Sequence, residues 1–148
     1  MKTIKTYILL LSIITLLTNC GDPDPTPQPV DETQAVIDGL AKTWTIDAVT
    51  LDGSSVASDW NNVQVSFTPN KSFSITGLST ENSLIWPSSG SYSFPDSTKP
   101  MSVLRSDGIA IAISDLTESS ATLKLTITGR TGGREAGLSG NYSFSFSN

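Results

Sequence analysis

Ile109-Ala110-Ile111-Ala112-Ile113, Ala121-Thr122-Leu123-Lys124-Leu125-Thr126-Ile127 and Tyr142-Ser143-Phe144-Ser145-Phe146 place a large apolar side chain at nearly every second position. Successive side chains of a strand point to opposite faces, so this period marks strands with one face on a core and one in water. Working outward, the same alternation holds in Val63, Val65, Phe67, in Phe73, Ile75 and in Tyr92, Phe94. Less regular strands are expected near Trp44 to Leu51, Leu84 to Trp86 and Met101 to Leu104. The residues between them are mostly Ser, Thr, Gln, Ala and Lys. Asp52-Gly53 and Asp107-Gly108 suit tight hairpins, because both residue types tolerate positive φ. Pro69-Asn70-Lys71 is another turn, and Asp115 to Ser120 a longer polar loop. Eight or nine short strands in a meander would leave two unpaired edges as an open sheet, and closure removes them. The predicted fold is therefore all-β, an antiparallel up-and-down meander closing into a small barrel of 8–9 strands. Everything after Thr43 is expected to be strand and turn.

One short helix precedes the strands. Asp31 can cap it, Gln34 stands three residues later at capping-box spacing, and Val36, Ile37, Leu40 and Ala41 form one apolar face. Ser89-Gly90-Ser91-Tyr92-Ser93-Phe94 and Ser139-Gly140-Asn141-Tyr142-Ser143-Phe144 share a pattern. It reads as one strand-entry solution used twice.

The N-terminal residues are of another kind. Lys2 and Lys5 precede the uncharged run Tyr7 to Leu17. As a helix that run spans roughly 16 Å, about half of a ~30 Å hydrocarbon core, the length of a signal-peptide apolar region. Leu17-Thr18-Asn19-Cys20 resembles a lipobox, with Asn19 where Gly or Ala is usual. The resemblance implies cleavage after Asn19 and a lipid on Cys20, the sole cysteine. Two or more acyl chains anchor a protein firmly where one does not. Residues 20–30 follow as a linker with proline at 23, 25, 27 and 29. Such a run excludes helix and acts as a semi-rigid spacer of about 3.1 Å per residue. The domain organisation is thus signal peptide 1–19, lipidated linker 20–30 and barrel domain 31–148. Asp22 and Asp24 resemble the acidic signal that sends lipoproteins of Bacteroidetes-type bacteria to the outer face of the outer membrane; the periplasmic face is the alternative.

Composition excludes several functions. The chain carries fourteen acidic and nine basic residues, a net charge of −5, and losing Lys2 and Lys5 makes it −7. With no basic cluster, nucleic acid is not an expected partner. With no histidine, the Ser-His-Asp and Cys-His arrangements are absent, as is the commonest transition-metal ligand. Asp47, Asp52, Asp59, Asp107 and Asp115 fall mostly in predicted turns, where Asp caps its own backbone. A carboxylate-based hydrolase is the weakest reading; no catalytic set, cofactor or metal is expected.

Leu40-Ala41-Lys42-Thr43-Trp44 and Gly140-Asn141-Tyr142-Ser143-Phe144 resemble the opening Leu-x-Gly-x-Trp and the final strand of lipocalin-like domains found in lipoproteins of Bacteroidetes-type bacteria. Lys42 stands where that family has Gly. The resemblance covers about residues 36 to 146 and implies an up-and-down barrel with Trp44 plugging one end. Eight strands enclose either a filled core or one small ligand. The inward set, Phe67, Phe73, Tyr92, Phe94, Ile111, Leu125 and Phe144, is bulky and favours filling. Trp60 and Trp86 then stand as rim contacts or core lids, and Arg130 and Arg134, in the twelve-residue loop Gly129 to Gly140, as further candidate contacts. Asp96-Ser97-Thr98 resembles an O-glycosylation acceptor of such bacteria, with Ser97 as the candidate. Two functions fit: a non-catalytic binding module for a small apolar ligand, glycan or envelope protein, or a structural interaction domain with a filled core.

Overall fold

The computed structural model of the protein describes residues 31–128 and 138–148. Cys20, the signal and linker residues, Arg130 and Arg134 lie outside them. Helix α1 spans Glu32–Leu40, with Asp31 Oδ1 accepting from the backbone N–H groups of Thr33 (3.0 Å) and Gln34 (3.2 Å). The capping box is not completed. Gln34 Nε2 instead donates to Asp38 Oδ1 at 2.7 Å, one helical turn on, where an ionised acceptor is available. Val36, Ile37 and Leu40 form the buried face as expected, while Ala41 ends the helix as its C-cap. Among the described residues no helix is long and apolar enough to cross a membrane.

The strands are β1 (Thr43–Leu51), β2 (Ser54–Ser55), β3 (Gln64–Phe67), β4 (Ser72–Thr76), β5 (Ser89–Ser93), β6 (Ser102–Arg105), β7 (Ala110–Leu116), β8 (Ser120–Ile127) and β9 (Gly140–Ser147). All pairings are antiparallel. Strands β1 and β3 to β9 each pair with the next in sequence, and β1 pairs with β9, from Thr45↔Ser147 to Leu51↔Tyr142. The eight strands close a barrel, consistent with a small lipocalin-like architecture, and β2 is an extra hairpin strand on β1. Closure leaves no long open edge, as the meander argument required.

Burial follows the period-two pattern in β8 and β9, where Leu123, Leu125, Ile127, Tyr142, Phe144 and Phe146 all face the core. Two strands break the period. Register shifts between Ile46 and Ala48 and between Ile113 and Asp115 insert one extra residue each. A bulge of this kind bends the strand and increases its twist, which barrel closure requires. The first one is why Val49, three residues after Ile46, is buried too.

One predicted strand is absent. Leu84 instead ends a short 3₁₀ helix at Asn82–Leu84, with Ile85 and Trp86 in the turn after it, and a second 3₁₀ helix occupies Ala57–Trp60, so the region after Thr43 is not strand and turn alone. Leu84-Ile85-Trp86 has no alternation, and Ile85 and Trp86 are both buried. Consecutive residues of a strand cannot share one face. The N–H groups of Ile85 and Trp86 both donate to the Asn82 carbonyl, which turns this loop inward.

The turn residues behave as their chemistry demands. Asp52 (φ 49°) and Gly53 (φ 83°) both take positive φ between the paired Leu51 and Ser54, the signature of a tight two-residue hairpin. Gly77 has φ 82°, and a Cβ there would lie 2.6 Å from the backbone oxygen of Asn62. Gly77→Ala is therefore expected to cost about 1–3 kcal/mol in urea unfolding. Gly53→Ala, with nothing within 4 Å of its Cβ, serves as the comparison that removes the clash and keeps the φ cost. An equal loss at both positions would contradict the close approach.

Candidate functional site

The barrel interior is occupied by its own aromatic side chains. Trp60 arrives on its 3₁₀ helix and Trp86 on the inward loop, and they flank Phe144 edge-on at ring-centroid distances of 4.8 and 5.1 Å. Trp86 also meets Phe73 and Phe146, each at 6.3 Å, and Phe67 packs on Phe73 and Tyr92. Edge-to-face pairs at these separations add to the burial of their area. Trp86 is 0 % exposed and Trp60 2 %. Both tryptophans are therefore packed into the core, and Trp60 also lines a crevice at one end of the barrel. The Trp60 helix lies between β2 and β3 and the Trp86 loop between β4 and β5, on the side of the barrel where the strands are four or five residues long. Six of the seven side chains predicted to face inward are buried, and Phe94, just beyond β5, is half-buried.

Trp44 lies at the α1 end, fully buried. Its Nε1 donates to the Leu40 carbonyl at 3.0 Å, and the Lys42 ammonium sits 5.0 Å from its ring centroid. Lys42 Nζ also donates to the Glu118 carbonyl at 2.8 Å. The lysine that replaces the expected glycine thus ties β1 to the β7–β8 turn.

Arg105 was not singled out by the sequence reading. Its guanidinium is buried, with Nε donating to Asp107 Oδ1 at 3.0 Å, a second nitrogen pairing with Asp107 Oδ2, and a third donating to the Ile85 carbonyl at 3.1 Å. The guanidinium carbon lies 5.5 Å from the Trp86 ring centroid. This arrangement clamps the inward loop to the β6–β7 hairpin. Hydrogen bonding from Arg105 holds the Asp107 carboxyl below the usual carboxylate range, against partial burial that opposes it. Strand parity was the available signal, since Arg105 shares a face with buried Val103.

The other carboxylates are structural or solvated. Asp47 accepts from the Ser147 hydroxyl, and Asp52 accepts from both the backbone and side-chain nitrogens of Asn141. Asp59 accepts from the Ser58 hydroxyl, and Asp115 is exposed. Among the described residues no three acidic, Cys or His groups gather as a metal site. Ser97 is exposed in the turn after β5. Asp96 beside it accepts from the Thr98 backbone N–H (3.0 Å) and hydroxyl (2.6 Å), which hold its carboxyl below the usual range.

Among the described residues, the concave surface includes three grooves. A shallow groove of about 810 Å³ crosses the outer face of β6 to β9, and its Asn141 is already bonded to Asp52 and Thr126. A second, of about 520 Å³, runs between α1 and the β7 end and includes Met101. The third is a crevice of about 340 Å³ at the barrel end away from α1, where Leu51, Asp59, Trp60, Asn82, Leu138 and Tyr142 meet. The Tyr142 hydroxyl donates there to the Leu138 carbonyl at 3.0 Å, and burial, then the nearby Asp52 carboxylate, push its pKa up.

No family model, curated protein or solved structure matches this chain.

Proposed function

We propose that the protein is a membrane-anchored lipoprotein of the cell envelope whose barrel is a non-catalytic interaction module, engaging a glycan or an envelope protein on its outer surface. The anchor reading rests on the run Tyr7 to Leu17 ending at Leu17-Thr18-Asn19-Cys20, and the spacer on the prolines at 23 to 29. The outer membrane, with display at the cell surface, is the location that Asp22 and Asp24 favour. One observation carries the choice of surface over lumen: Trp60 and Trp86 close on Phe144 and fill the interior. A small apolar ligand inside the barrel, the other reading of the same fold, would need that volume. Recognition then falls to the loops and outer grooves.

Labelling cells with radioactive palmitate is the test of the anchor. The wild-type chain is expected to label and Cys20→Ser to lose all label; label on the variant would refute lipidation at this residue. Protease treatment of intact cells should remove the domain, whereas full protection would place it on the periplasmic face.

A further inference from the structure

The loop between β4 and β5 makes most of its hydrogen bonds within itself. Over residues 79–88, the Ser83 N–H donates to the Ser79 carbonyl, that of Leu84 to Glu81, and those of Ile85 and Trp86 to Asn82. The Asn82 N–H donates to the Ser79 hydroxyl, and the Ser83 hydroxyl to the Thr80 carbonyl. Among the described residues, three hydrogen bonds tie this unit to the barrel. The Ile75 N–H donates to the Ser88 carbonyl at 2.7 Å, next to the start of β5. Asn82 Nδ2 donates to the Asp59 carbonyl, and the Arg105 guanidinium to the Ile85 carbonyl at 3.1 Å. Only the last has a charged donor, which makes it the strongest of the three. It acts beside Trp86, the side chain that the loop sends into the interior. There Trp86 Nε1 has no partner among the described residues, so the closed loop carries an unmet donor that water would satisfy outside.

We propose that this loop is a plug latched by Arg105, and that protonation of Asp107 releases it while the barrel wall stays folded. Both Asp107 oxygens accept from Arg105, whose side chain is 2 % exposed where that of Asp107 is 40 % exposed. Protons therefore reach the carboxyl without unfolding. Once it is neutral, the guanidinium is a buried charge without a counter-charge, and it relaxes toward water. That move gives up the Ile85 carbonyl and the contact with the Trp86 ring together. Among the described residues, Arg105 is the one charge acting on Asp107, and the Ile109 N–H also faces it. Opposite Arg105 on β5 stands Tyr92, whose pKa burial raises, so it stays neutral in acid. Glu81 and Asp59, which line the crevice with Ile85, are the remaining carboxyls at the loop. Hydrogen bonding from Arg105 holds the Asp107 carboxyl below its usual range against partial burial. The latch is thus closed above the free carboxyl value near 3.9 and opens as pH falls through the folded one. This device goes beyond surface recognition and stands with or without the lipid.

The test is NMR hydrogen exchange on the isotope-labelled full chain in micelles, at about pH 6 and about pH 3, on either side of the carboxyl transition. Opening is read as the exchange rate of the Trp86 indole N–H divided by that of Trp44. The Trp44 indole, bonded to the Leu40 carbonyl, shares the intrinsic pH dependence and serves as the reference within the same molecule. The ratio should rise by about tenfold or more in acid, the worth of one charge-assisted hydrogen bond, while the amides of β8 and β9 stay protected. Asp107→Asn should give the high ratio at both pH values. Arg105→Met, which keeps an apolar stem, should likewise remove the pH dependence, and Glu81→Gln and Asp59→Asn should each follow the wild type. A wild-type ratio that is unchanged in acid would overturn the latch. So would a pH-dependent rise that persists in Asp107→Asn or Arg105→Met, or one abolished by Glu81→Gln or Asp59→Asn. Loss of Trp86 and β8–β9 protection together would show acid unfolding of the whole barrel and overturn it as well.

Discussion

Trp86→Ala is expected to lower the unfolding free energy by about 3–5 kcal/mol, because a fully buried ring is removed from a packed aromatic cluster. Phe73, Phe144, Phe146 and the Arg105 guanidinium all lose a neighbour. The variant should also gain what the wild type lacks, an apolar space inside the barrel large enough for a small aromatic molecule. Indole added to Trp86→Ala should raise its urea midpoint and leave the wild type unchanged. Trp86→Phe gives a sharper comparison. The Trp86 Nε1 has no hydrogen-bond partner among the described residues, so losing it forfeits no bond, and the cost should fall clearly below that of Trp86→Ala, set by the smaller cavity the shorter ring leaves. A Phe variant as damaged as the Ala variant would show that the indole nitrogen has a partner that matters.

Asp107→Ala is the second large effect. It strands the Arg105 guanidinium, whose side chain is 2 % exposed, without its counter-charge. Removing one partner of a buried pair costs about 3–5 kcal/mol, and the lower end, about 3 kcal/mol, applies because Asp107 itself is 40 % exposed. The same pair sets a pH dependence. Asp107 has a lowered carboxyl pKa in the fold, so its contribution is present above the unfolded value near 3.9 and lost as pH falls through the folded value. Urea midpoints of the wild type should decline below about pH 4. In Asp107→Ala that part of the decline should flatten, leaving the smaller slope from groups such as Asp96. A variant that tracks the wild-type acid profile in parallel would show that the pair does not act as described.

Much of this architecture was legible because one face of each strand is apolar. Alternation placed Tyr142, Phe144 and Phe146 on the core side, and the φ tolerance of Asp and Gly identified the turns at Asp52-Gly53 and Asp107-Gly108. Periodicity says nothing about where a strand takes an extra residue, so the bulges after Ile46 and Ile113 were invisible. It also misleads where a loop is buried. Leu84-Ile85-Trp86 looked like a short strand, yet its apolar character reflects insertion into the barrel mouth. Arg105 could have been found from its parity with Val103, but charge normally argues for solvent and hid it. The crevice was beyond reach for a topological reason. Asp59, Asn82 and Leu138 come from three loops far apart in sequence, and only closure of β9 onto β1 brings them to one end.

The filled interior separates a surface-recognition module from a carrier, and the mass of the folded protein as recovered from cells tests it most directly. Measured by native mass spectrometry, the folded barrel should weigh the same as the denatured, covalently intact chain. A stoichiometric apolar adduct that is present under native conditions, and lost on unfolding, would place a ligand where Trp60 and Trp86 are packed and contradict the account.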